Sequence, residues 1–175
     1  MPIPTEMYTS DGVVTGLLEG SDRLVDLVEA PDDLRLVSGR MTFVDGSSVD
    51  LPTSDLPIDD VLLAVPDAAV VPVHATWHDV RLVLGPWVVE ARLPTQPGFD
   101  PGRALARPGG TFLLISEVRL AHRDEPTRVL AAHEHLLVNR YAVEAATAGM
   151  MLGYFFPGAS LEVSEPATVG SPVGT

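Results

Sequence analysis

Apolar residues in this chain come in runs of four to eight, rich in Val and Leu and fenced by Gly, Pro, Asp and Ser. Runs that short, with β-branched residues and turn-formers at their ends, read as strands; no segment repeats apolar positions at helical spacing for long. The predicted strands are Gly12 to Leu18, Leu34 to Ser38, Arg40 to Val44, Ser48 to Leu51, Ile58 to Val65, Ala69 to Val73, Asp79 to Leu84, Trp87 to Leu93, Thr111 to Leu120, Thr127 to Ala132 and His135 to Ala145. Asp45-Gly46 supplies a hairpin turn between two of them, and Gly85-Pro86, which cannot continue a ladder, supplies another. Helix is confined to two places. Ser21 is a plausible cap for Asp22 to Glu29, closed by Pro31, and Asp100-Pro101 starts a second short helix that Gly109-Gly110 ends. The fold class is therefore all-β.

The order of these elements repeats. Val13-Val14 with Leu18 corresponds to Val88-Val89 with Leu93, and Leu34, Leu36, Val37 and Ser38 correspond to Phe112, Leu114, Ile115 and Ser116. Leu56, Ile58, Val61 and Leu63 then match Leu136, Val138, Tyr141 and Val143. A duplicated unit implies two tandem small β-barrels, residues 1–73 and 74–146, each with one short helix, followed by a tail at 147–175. A barrel of about 65 residues buries only about 60% of its unfolded surface. The two are therefore expected to pack on each other across Ala68 to Val73, a stiff apolar connection.

Asp22-Arg23-Leu24-Val25-Asp26-Leu27 after Gly16, together with Leu137-Val138-Asn139-Arg140, resembles uncharacterised bacterial domains with a small SH3-like or Sm-like β-barrel. The resemblance covers residues 10–146 and splits its motifs between the two copies. It implies a fold and no activity.

Composition narrows the chemistry. The 175 residues hold 24 Asp and Glu against 11 Arg, a net charge of −13 that opposes sequence-independent binding to nucleic acid or to anionic lipid. There is no Lys and no Cys, which excludes Schiff bases, P-loop lysines, disulfides, thiol nucleophiles and thiolate metal sites. The N-terminus does not read as a secretory signal and no apolar stretch reaches the roughly 20 residues of a membrane span, so a cytoplasmic protein is expected. Residues 1–73 hold 14 acids and 3 Arg, whereas 74–146 hold 8 of each, so the first half presents an acidic, solvated or partner-steering face.

Catalytic motifs are sparse. No G-x-S-x-G elbow or phosphate loop occurs, and the acid pairs Asp32-Asp33 and Asp59-Asp60 read as solvated loops. His74 and His78 sit in an extended stretch, where i and i+4 lie about 13 Å apart, too far for one metal. His133-Glu134-His135 places two imidazoles on one face if it is a strand, and is the candidate for a metal-binding or enzymatic alternative. No cofactor is expected. The tail draws more attention: Met150, Met151, Leu152, Tyr154, Phe155 and Phe156 form an uncharged segment that must fold back on the body or dock on another chain. These six residues are the expected partner contact of a non-catalytic interaction or assembly module, self-associating or a subunit of a complex. A second alternative is a binder of a small apolar ligand held within the β framework.

Overall fold

The computed structural model describes residues 1–20, 23–30, 32–100 and 110–165. Among them are twelve strands and one α-helix. The first half holds β1 (Ile3–Tyr8), β2 (Gly12–Leu18), α1 (Leu24–Glu29), β3 (Leu34–Phe43), β4 (Ser48–Leu51), β5 (Ser54–Leu56), a 3-10 turn (Ile58–Asp60) and β6 (Leu63–Ala64). The second holds β7 (Thr76–Leu84), β8 (Trp87–Thr95), β9 (Phe112–His122), β10 (Val129–Asn139) and β11 (Ala145–Ala148), with β12 (Ser160–Val163) in the tail. None of the described helices is long and apolar enough to cross a membrane.

Both turn readings hold: Gly46, at a φ of 88°, turns β3 into β4, and Gly85, at 50°, turns β7 into β8. Several strand readings are corrected. Ile58 to Val65 is mostly not strand, because the Asp60 and Val61 N–H groups reach back to the carbonyls of Pro57 and Ile58, leaving only Leu63–Ala64 in the ladder. Ala69 to Val73 pairs with nothing in the ladder and leaves Val70 and Val73 exposed, and His74 leaves the extended region with a φ of 63°. β3 runs unbroken from Leu34 to Phe43 and β10 from Val129 to Asn139 where two strands each were expected, and His135 to Ala145 is not one strand, because the chain turns after Asn139, with the Ala142 N–H donating to the Asn139 carbonyl, before β11 begins at Ala145. Ser21, Asp22, Pro31 and the second helix expected from Pro101 onward lie outside the described residues. The first N–H of α1 is met from elsewhere, by the Asp67 carboxylate at 3.0 Å.

Neighbouring strands run in the order β12-β11-β7-β8-β9-β10-β6-β1-β2-β3-β4, with β5 also on β3. Each half contributes the same sub-order: its last strand, then its first, second, third and fourth. The expectation of two closed barrels is corrected. The ladder is one open path, because β10 pairs not with β11 of its own half but with β6 of the other, Leu137 opposite Ala64 and Val138 opposite Leu63.

Side chains alternate across a strand, so β6 and β10 feed two cores at once. Ala64 and Leu137 point into a first core, with Met7, Val14, Leu18, Leu24, Val28, Leu34 and Leu36. Leu63, Leu136 and Val138 point into a second core, with Val80, Leu82, Trp87, Val89, Leu93, Ile115 and Leu120. Two further ties cross the junction. Asn139 donates from Nδ2 to the Val61 carbonyl at 3.1 Å. The Glu29 carboxylate at the end of α1 accepts from the Thr111 and Phe112 N–H groups, at 2.8 and 2.6 Å.

Candidate functional site

The tail residues are split by the fold. Leu152, Phe155 and Phe156 are buried in the second core, where Phe155 stands edge-on to Tyr154 and both lie 5.2 Å from the Phe99 ring. Met151 remains 52% exposed, and Met150 and Tyr154 are partly covered. The apolar segment thus folds back on its own chain. β12 then adds to β11 as a parallel strand, Ala145 opposite Ser160 through Ala148 opposite Val163.

His133 and His135 do share a face of β10, as alternate residues of a strand must. They serve different neighbours. The His135 Nδ1 lies 2.8 Å from the Ser116 hydroxyl, its partner across the ladder, while its other nitrogen is 3.5 Å from the exposed Glu134 carboxylate. A Ser–His–Glu line of this kind invites a hydrolase reading. Yet Ser116 is buried, so the contact is a cross-strand pair and not a nucleophile presented to substrate. No group of three His, Asp or Glu side chains among the described residues is placed to hold a metal ion.

His133 instead belongs to a polar cluster at the junction of the halves. Tyr8, on β1, donates its hydroxyl hydrogen to Glu6 Oε1 at 2.5 Å, and its oxygen lies 2.9 Å from His133 Nε2. With the phenol hydrogen committed to Glu6, the imidazole nitrogen must be the donor to Tyr8. Trp87 stands edge-on to Tyr8 with ring centres 5.3 Å apart, and its indole N–H donates to the Thr9 carbonyl at 2.8 Å. His122 stacks on the other side of Trp87 at 4.9 Å. Its Nδ1 is buried without a hydrogen-bond partner among the described residues.

Beside this row of rings opens a cleft of about 410 Å³. Glu6, Tyr8, Trp87 and His122 line it together with Thr15, with Thr42 to Val44 and Gly46 around the β3–β4 turn, and with Leu130 and Ala131 of β10. Phe43, Val44 and Leu130, between 38% and 42% exposed, give it an apolar rim. Sequence reasoning missed this site because its parts are scattered: β1 was not read as a strand, so Glu6 and Tyr8 had no assigned place. His133, which the sequence did single out, does not line the cleft and is tied to it only through Tyr8 and Glu6.

Burial, and then the hydrogen bond to Glu6, push the Tyr8 phenol well above its ordinary value. A group whose folded pKa is raised contributes stability below its unfolded pKa of about 10, and loses it as pH rises further. In an alkaline titration followed at 295 nm, one of the three tyrosines is expected to stay un-ionised until the protein unfolds. Tyr8→Phe removes that late phase. Ionisation of all three while the fold persists would contradict the assignment.

No family model, no curated protein and no solved structure matches this chain. Function therefore rests on the geometry.

Proposed function

We propose that the protein is a non-catalytic assembly module, built from a duplicated β unit (residues 1–73 and 74–146) joined in one open sheet, that self-associates by strand addition. One observation carries this reading: the fourth strand of the second half, β10, is paired to the other half, whereas its counterpart in the first half, β4, ends the sheet with no strand on its outer edge among the described residues. An open edge is a template for another strand unless charge, proline or a cover blocks it. Here the core-facing side runs out to the edge: Met41 and Leu51 pack on the first core, and Val49, opposite Met41, is 46% exposed. Asp50 is the one acid on β4, and Arg40 meets it at 3.0 Å. The strand at the other end of the sheet, β12, is four residues long and carries the charge of Glu162.

A second copy fits best, its β4 antiparallel to the first across a two-fold axis, because such an interface uses one patch twice. Met150, Met151 and Tyr154 supply the remaining tail surface for contact; Leu152, Phe155 and Phe156 are committed to the core. In sedimentation equilibrium the full chain is expected to show a concentration-dependent mass above one chain. Val49→Lys, a charge on the edge, returns it to single-chain mass without changing the circular dichroism spectrum. A wild-type chain that stays single at all concentrations, or a variant that keeps the higher mass, refutes the proposal.

A further inference from the structure

The cleft at the junction is independent of the β4 edge and carries its own inference: we propose that it binds a small organic cation, an ammonium group on an apolar or aromatic body. Its volume lies at the lower end of the range for small-molecule sites. Its walls divide the ligand into two parts. Val13, Phe43, Val44, Leu130 and Ala131 offer only apolar contact, which suits a hydrocarbon or a ring.

The polar end is set by Glu6. Among the described residues it is the one carboxylate on the wall, and no described Arg lines the cleft. Its side chain is 37% exposed, open enough to be met by a ligand yet partly shielded from water. One of its oxygens accepts from Tyr8, which fixes the carboxylate's orientation before any ligand arrives. The other oxygen is left to a second donor. His133 reaches Glu6 only at 3.5 Å, while its Nε2 sits closer to Tyr8.

The surroundings favour the same sign of charge. The chain carries −13 overall, and the first half, which supplies Glu6, holds most of the excess. Anions are repelled from such a mouth and cations are drawn to it. A neutral apolar molecule gains the wall contacts and leaves Glu6 to water. An ammonium gains both, with a charge-assisted hydrogen bond in a partly dry site.

The test uses three probes that share a phenyl body and differ in charge: 2-phenylethylammonium, 2-phenylethanol and 3-phenylpropionate. Binding to the full chain is read from amide and methyl NMR shifts at Val13, Val44 and Leu130 and from the Trp87 indole signal. The ammonium is expected to saturate these signals at least about tenfold more tightly than the alcohol, with the carboxylate weakest; a tenfold gap is about 1.4 kcal/mol. Glu6→Gln keeps the shape and the Tyr8 contact and is expected to erase the gap between ammonium and alcohol. Val44→Trp, at the mouth, weakens the ammonium and the alcohol together. The proposal fails if the three probes bind alike, if the ammonium shifts spread over surface acids outside the cleft, or if the gap survives Glu6→Gln. The wild-type probe series decides the matter even where a variant is too unstable to assay.

Discussion

Phe156→Ala is expected to cost about 3–5 kcal/mol, the range for deleting a fully buried aromatic side chain, and to shift the urea midpoint accordingly. The ring is 1% exposed and sits in the second core with Leu152 and Phe155. Its removal costs both the transfer of its surface and the cavity left behind. Met151→Ala, five residues earlier but half exposed, serves as the control and should change stability by less than about 0.5 kcal/mol. If Phe156→Ala were as mild as Met151→Ala, the tail would not be part of the fold, and its six apolar residues would return as a docking segment for another chain.

The second large effect is expected at Asn139. Asn139→Ala should destabilise by about 1–3 kcal/mol, because it strands buried polar groups rather than removing apolar area. The side chain donates to the Val61 carbonyl and accepts from the Tyr141 N–H at 3.1 Å, so it both ties the halves together and shapes the turn that leads from β10 to β11. Asn139→Asp keeps the acceptor and loses the donor. It should retain the turn and still lose the tie, giving an intermediate midpoint in the same denaturation series. Equal midpoints for wild type and both variants would remove Asn139 from any role at the junction.

The strands most visible in the sequence were those with turn chemistry at both ends. Gly12 to Leu18 and Ser48 to Leu51 are found with the predicted bounds, and Trp87 is the first residue of its strand as predicted. β1 was invisible because Pro2 and Pro4 flank Ile3, and proline in a short run argues against a strand unless an edge or a terminus accommodates it. β6 was read too long, as Ile58 to Val65, because apolar composition does not show where the Ile58–Asp60 turn ends, and the pairing of Leu63–Ala64 with β1 and β10 is decided by chain geometry far from them in sequence. The same holds for the helix cap at Asp67, distant in sequence from the N–H it meets.

The site was less legible than the fold. His133 was singled out, but for a partner two residues away on its own strand. What it meets is Tyr8, 125 positions earlier. The tail composition correctly signalled burial and could not say against which chain. Charge counting gave the acidic first half, and it is there that Glu6 acquires meaning only once the cleft around it is seen.

Leu63 and Ala64 point into opposite interiors, as do Leu136 and Leu137. A partition shared in this way leaves each chamber one wall that it does not own alone. Pulling the halves apart would uncover a raw apolar surface on both sides simultaneously, so the molecule is expected to melt as an indivisible whole.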